Sequence, residues 1–296
     1  MMKAVIITAD DFGFSQAVNE AVEQAHLRGV LGTASLMPGA RAAGDAIERA
    51  RRLPALRVGL HLVLAGLSPV SSPSEIPDLV GADGKLSSRL FLAGLDYYFR
   101  PSVRRQLERE VRAQFELFLR SGLTLDHVNC HKHLHLHPTV FDIIIKAGAG
   151  HGMKAVRLPY EPYFSPCRKP RPGRISRVSR ISHIRGLASW LFLLPWTALL
   201  RRKIRNAGMN SNDFVFGLRD SGRMELDRVL KLLRRLPAGV TEMYFHPAAR
   251  PCPELEKEAP GSRHVSEFAA LIDPAFARAI AEHKIRQVGF GDLPLA

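Results

Sequence analysis

Val5-Ile6-Ile7-Thr8-Ala9-Asp10-Asp11-Phe12-Gly13 is the stretch whose reading decides the fold. Apolar and β-branched residues run into two adjacent carboxylates, and a glycine then frees the backbone to turn. This pattern predicts a buried parallel strand with a polar site at its carboxyl end, where α/β sheets and barrels carry their chemistry. Two neighbouring carboxylates repel each other unless a cation or a proton lies between them. The plainer alternative, an Asx turn that caps the next helix, needs no ligand.

Downstream the pattern alternates. Ser15 to Val30 has helical spacing, Thr33 to Met37 reads as a short strand, and Arg41 to Leu53 as a second helix. Arg57 to Leu64 is a further apolar strand with His61 embedded in it. Repeated βα units imply a parallel sheet or a β/α barrel, so the expected class is α/β. The rhythm breaks at about 66–100, a Ser-, Pro- and Gly-rich insertion with an aromatic end at Tyr97-Tyr98-Phe99, read as lid-like. Pro101 to Ser121 resumes as an amphipathic helix.

Leu125-Asp126-His127-Val128-Asn129-Cys130-His131-Lys132-His133-Leu134-His135-Leu136-His137-Pro138 is the second informative stretch. An extended backbone would place its alternate histidines on one face. Such a chain separates its ends too far for all of them to ligate one ion, so one or two are expected to bind metal while the others line the cleft. Further strands are expected at Lys154 to Tyr160, Asp213 to Leu218, Val240 to Pro247 and Ile285 to Phe290. Helices are expected at Met224 to Leu236 and Asp273 to His283, with Glu254 to His264 as a charged loop.

The 296 residues suit one large barrel or two modest domains, and 46% hydrophobic content supplies a substantial core; a single barrel domain is expected. Net charge is +14, yet Pro162 to Asn212 alone carries eleven Lys or Arg and no acid, leaving only +3 for the rest. Three scattered cysteines without a CxxC pair argue against a disulfide framework or thiolate zinc and fit a reducing compartment. Asp10 comes too early for a signal peptide, so a cytoplasmic location is expected. Asp11-Phe12-Gly13 matches a kinase tripeptide by chance, since no glycine-rich loop or kinase lysine precedes it.

One carboxylate with two neutral imidazoles is a common zinc set in hydrolases. Asp10/Asp11, His61, His131 and His246 all fall at or near strand ends. A second carboxylate can serve as general base, Arg157 can hold it ionised, and His246 can protonate a leaving amine. These parts suffice for metal-assisted amide hydrolysis.

The sequence resembles the YdjC-like carbohydrate deacetylases, relatives of the chitooligosaccharide deacetylases, and this resemblance implies a distorted (β/α) barrel. The resemblance rests on Thr8-Ala9-Asp10-Asp11-Phe12-Gly13, Gly59-Leu60-His61, His131-Lys132-His133-Leu134-His135 with Pro138, and Tyr244-Phe245-His246-Pro247. It implies Asp11, His61 and His131 as ligands of one divalent metal. Two imidazoles favour zinc, with magnesium the alternative often assigned in the family. It also implies Asp10 as base, Arg157 as its brace and His246 as acid. His133, His135, Tyr160, Trp190 and Trp196 are read as substrate contacts. Arg157-Leu158-Pro159-Tyr160-Glu161-Pro162 and Phe216-Gly217-Leu218-Arg219-Asp220-Ser221-Gly222 further resemble the hopanoid-biosynthesis-associated branch, HpnK. That branch implies an N-acetylglucosaminyl hopanoid as substrate. The rivals are a soluble chitooligosaccharide deacetylase, another barrel-type metal hydrolase, and a lipid-binding protein at the membrane surface.

The second insertion, at about 162–212, holds an apolar stretch, 186–200, with Trp190 and Trp196 between arginine clusters. It is too short to span a bilayer and suits peripheral contact with a membrane surface; the alternative is an ordinary core helix with a solvated basic flank. Its aromatics do not interleave with the arginines, which argues against nucleic acid.

Overall fold

The computed structural model describes residues 3–162 and 194–294. Its centre is a curled parallel sheet of strands β1 (Lys3–Phe12), β2 (Thr33–Leu36), β3 (Arg57–Leu62), β4 (Val128–Cys130), β5 (Phe214–Phe216) and β6 (Gly239–Phe245), in the order β4-β3-β2-β1-β6-β5. A two-residue strand, β7 (Arg286–Gln287), pairs with the start of β1. The ring is completed without a regular strand. Val128 donates to the Ala155 carbonyl at 3.0 Å and Arg157 to the Val128 carbonyl at 2.9 Å, while Val215 donates to the Tyr160 carbonyl at 2.9 Å. The Asn212 side chain completes this seam, accepting from the Leu158 amide and donating to the Leu158 carbonyl, both at 2.8 Å. The expected distorted (β/α) barrel is therefore the observed fold, and its seam carries Arg157.

Helices α1 (Gln16–Arg28), α2 (Ala43–Arg52), α3 (Leu90–Phe99), α4 (Pro101–Arg120) and α5 (Pro138–Gly150) serve the first half. A helix over 194–206, α6, and α7 (Leu226–Leu233), α8 (Pro253–Glu258), α9 (His264–Ile272) and α10 (Pro274–Glu282) serve the second. The amphipathic period of α4 is realised, with Val103, Leu107, Val111, Phe115 and Phe118 all buried. Glu110 and Gln114 on the same helix are buried too, and they bind the chain that leaves β3, from Val63 to the start of the preceding insertion. Glu110 accepts from the Val70 and Ser71 amides at 2.8 and 2.9 Å, and Gln114 pairs with both backbone groups of Val63.

The 66–100 insertion, whose secondary structure the sequence reading left open, ends in a regular helix, α3. Other local expectations fail for physical reasons. The charged stretch from Glu254 contains α8 and leads into α9, because Leu255, Phe268 and Leu271 bury between charges. His131–Leu136 is not extended. It coils as a 3₁₀ turn in which Lys132 and His133 take left-handed φ values of +55° and +53°. No helix among the described residues is long and apolar enough to cross a membrane.

Candidate metal-dependent active site

The carboxyl end of β1 departs from a regular strand. Successive side chains of a strand point to opposite faces, which would separate Asp10 from Asp11. The register with β2 shifts between Ala9 and Phe12, and Asp11 adopts φ +63°. This bulge turns both carboxylates into one cavity. Aspartate tolerates the left-handed region better than a branched residue would. Gly13, at φ +94°, completes the turn, and a Cβ there would press on the Met37 carbonyl at 3.1 Å.

The cavity, about 160 Å³, is lined by Asp10, Asp11, His61, His131, His133 and His246, and by Glu258 of α8 and His264 of α9. His135 lies buried outside it, and burial pushes its pKa down to about 3. Tyr160 sits on the seam beside Phe214, and the Trp196 indole donates to the Leu136 carbonyl at 2.8 Å; neither lines the cavity. Trp190, with the rest of 163–193, lies outside the described residues.

Asp10 is clamped. Arg157 donates to both of its oxygens, at 2.6 and 2.9 Å, and Asn129 Nδ2 donates to Oδ1 at 3.0 Å. The same guanidinium donates twice to Glu242 of β6, at 2.8 and 2.7 Å, and lies 4.6 Å over the Tyr244 ring. Burial alone would raise the Asp10 pKa, but the Arg157 charge and hydrogen bonds, with His61 and His246, together outweigh it and hold the carboxyl far below its usual range. Asp10 is therefore ionised and immobile, and Arg157 acts on it as a positioning residue.

Asp11, His61 and His131 form a second group. Asp11 Oδ1 is buried without a hydrogen-bond donor, 3.3 Å from His61 Nε2 and 3.4 Å from His131 Nδ1. One donor atom from each residue lies within 4.8 Å of the others. Asn129 sets the His61 tautomer. Its Nδ2 faces Asp10 and Ser35 Oγ, so its Oδ1, 2.6 Å from His61 Nδ1, accepts from that nitrogen and leaves Nε2 a free lone pair. His131 turns Nε2 to Glu258 at 3.3 Å and Nδ1 to Asp11. Burial would lower the His131 pKa, yet Asp11 and Glu258 hold it up at about 9, so the carboxylates demand positive charge here. An orphaned carboxylate oxygen and two oriented imidazoles fit a divalent ion.

A buried chain extends from this group. Ser35 accepts from Asn129 at 2.9 Å, so its own hydroxyl can donate to His127 Nε2 at 3.0 Å, while His127 Nδ1 lies 3.1 Å from Asp126. Gly59 makes room for it, since a Cβ there would stand 2.3 Å from the His127 ring. The sequence reading named neither Asn129, Ser35 nor Glu242 as a site residue. Glu242 did carry a signal, because a lone charge in a strand of buried residues needs a partner.

His246, at the end of β6, is half-buried. The surrounding protein lowers its pKa, against the pull of Asp11 and Asp10. Its backbone is pinned by Glu267, which accepts from the His246 amide at 2.6 Å, and by His264, whose Nδ1 lies 2.6 Å from its carbonyl. Burial raises Glu267 from 4.5 to about 7. The folded chain thus holds this proton more tightly than the unfolded one. The resulting stability, about 3 kcal/mol at most, is complete below pH 4.5 and is lost as pH rises through about 7. Thermal melting should fall with pH across that window, and less steeply in Glu267→Gln; identical slopes would show that Glu267 ionises normally.

A parallel barrel with an Asp-His-His group beside a clamped carboxylate at its carboxyl end has the layout of a metal-dependent hydrolase. The profile of the YdjC-like protein family matches residues 4–282, and the chain belongs to that family. It is 29% identical to a carbohydrate deacetylase of Geobacillus stearothermophilus over 292 residues, 98% of each chain. It is 39% identical to a carbohydrate deacetylase of Brevibacillus brevis over 142 residues. That match covers 48% of this chain and only 54%, about half, of the relative. Among solved structures, the fold matches an Enterococcus faecalis protein described as a candidate cellobiose-phosphate cleavage protein. The TM-score is 0.71 over the whole of both chains, at 22% identity.

Proposed function

We propose that the protein is a carbohydrate N-deacetylase that hydrolyses the acetamide of an N-acetylglucosaminyl group carried on a hopanoid lipid. The observation that carries the reaction is the pair of carboxylates turned into one cavity, Asp10 clamped by Arg157 and Asp11 facing two imidazoles. The relatives described as carbohydrate deacetylases support a sugar's acetyl group as the target, and resemblance of the Arg157-to-Pro162 and Phe216-to-Gly222 stretches supports the N-acetylglucosaminyl hopanoid. A lipid-borne substrate would bring the protein to a membrane surface.

Asp11, His61 and His131 would hold the ion, with zinc favoured by the two imidazoles. When bound, it supplies Lewis acidity and an acidified water. Asp10 accepts the proton of the attacking water, and its position is fixed before substrate arrives, because Arg157 and Asn129 leave the carboxylate no freedom to turn. Asn129 keeps His61 in one tautomer throughout. His246 lies in the same cavity and delivers a proton to the departing nitrogen. As that proton moves, Asp10 and Asp11 favour the protonated imidazole against its burial. Water and amide become acetate and a free sugar amine, with no oxidation or reduction.

The test is mass spectrometry of N-acetylglucosaminyl hopanoid, beside a soluble chitooligosaccharide, incubated with zinc-loaded and chelator-treated protein. Loss of one acetyl from the lipid, abolished by chelation and restored by zinc, is the expected result. Turnover of the soluble sugar alone would keep the chemistry and overturn the lipid substrate. Undiminished turnover after chelation would overturn the metal.

A further inference from the structure

Helix α3 is apolar on two faces, and only one of them is used. Ala93 and Tyr97, one turn apart, are buried against the barrel, and the Tyr97 hydroxyl donates to the Leu64 carbonyl at 3.2 Å. The opposite stripe is Phe91 (78% exposed), Leu92 (50%), Leu95 (42%), Tyr98 (53%) and Phe99 (70%). The spacing i, i+1, i+4, i+7, i+8 puts these five on one side of the helix. Of the nine large exposed apolar side chains among the described residues, five stand on this one helix, and the other four are scattered. Singly exposed apolar residues need no explanation, but a contiguous stripe marks a contact surface.

We infer that this stripe docks on an anionic lipid surface. Charge complementarity selects that occupant. Exposed Arg89 precedes the helix and Arg100 follows it, with Arg104 and Arg105 on the first turn of α4. Arg104 donates to the Tyr98 carbonyl at 2.8 Å, so a cation sits at the aromatic end of the stripe. The acids nearby are Asp78 and Asp96, which pair with Arg100, Glu108, which pairs with Arg112 and Lys146, Asp142, which pairs with Lys203, and Asp83, which accepts from the Lys85 amide. Arg89, Arg104 and Arg105 are therefore the cations left to face a headgroup. Aromatic and aliphatic side chains bounded by arginine suit the boundary between acyl chains and anionic headgroups.

The location gives the contact a use. The insertion that bears α3 leaves β3 at the catalytic end, and its Gly66 lies against Lys132 and Glu258 at the cavity rim. Tyr97 also meets His137, directly after the histidine turn, at 6.0 Å between rings. Seating the stripe on lipid holds the cavity mouth beside the surface that carries the substrate. This use rests on the lipid-borne reading of the function; the stripe itself does not.

The deciding experiment is vesicle flotation of the full chain, with phosphatidylglycerol–phosphatidylcholine vesicles beside phosphatidylcholine alone. Wild type and a Phe91→Ser, Leu95→Ser, Phe99→Ser variant are compared, all three changes being at exposed positions. Wild type should float with the anionic vesicles, less so as salt rises, and the variant should lose about tenfold in partitioning with an unchanged melting temperature. Arg89→Glu should weaken binding to the anionic vesicles and leave the neutral ones unaffected. Equal flotation of variant and wild type would overturn the proposal. So would a wild-type dimer in sedimentation that the variant dissolves, because the stripe would then be a contact between copies. Flotation needs no substrate, so a failed deacetylase assay leaves this result standing, and failed flotation leaves the deacetylase reading standing.

Discussion

Asp10→Asn should lower kcat on the order of 10³-fold while the affinity for zinc, read by chelator competition, changes little. The amide cannot accept the proton that the carboxylate takes from water. The change leaves Asp11, His61 and His131 in place, and Arg157 keeps its two bonds to Glu242, so the barrel seam stays neutralised. Circular dichroism should show the fold intact. Turnover near the wild-type level would remove Asp10 from the chemistry. Loss of zinc together with turnover would make Asp10 a ligand and reverse the roles of the two aspartates.

Arg157→Met should cost about 3–5 kcal/mol of stability as well as activity, because it strands two buried carboxylates that one guanidinium now serves. Asp10 would keep the Asn129 amide and Glu242 the Thr8 hydroxyl at 2.7 Å, and neither neutralises a charge. Adding Glu242→Gln should recover part of the melting temperature without restoring turnover, since Asp10 would remain unbraced. Recovery of turnover in the double variant would show that Arg157 serves the fold alone. A melting temperature close to wild type in Arg157→Met would show that the pair is not stabilised as described.

The barrel was legible from its alternating strands and helices, and Asp10, Asp11, His61, His131 and His246 were legible as polar residues where apolar strands end. The bulge was not. Strand alternation sets Asp10 and Asp11 on opposite faces, and only the register slip with β2 and the left-handed φ of Asp11 unite them. The histidine run misled for the opposite reason. Its alternation suits a strand, but the chain coils at Lys132 and His133, so His131 and His133 reach the cavity while His135 turns inward. Asn129 was beyond reach, because its meaning lies in partners 68 and 119 residues away. Tyr97-Tyr98-Phe99 was seen as an aromatic cluster, yet only the helix geometry of α3 shows that Tyr97 faces inward and its two neighbours outward.

The clamp on Asp10 also sets a timetable for the nascent chain. Asp10 leaves the ribosome 147 residues ahead of its guanidinium partner, and the Thr8–Glu242 bond joins positions 234 apart. At a ribosome's pace, Asp10 waits roughly seven to thirty seconds for Arg157 alone. Throughout that interval β1 lacks its neighbour β6, so its apolar residues have nothing to close against on that side. The acidic half of the site is thus synthesised first and neutralised late. Until Arg157 arrives the Asp10 carboxylate is stable only in water, so the carboxyl end of β1 stays open while its apolar half waits for β6.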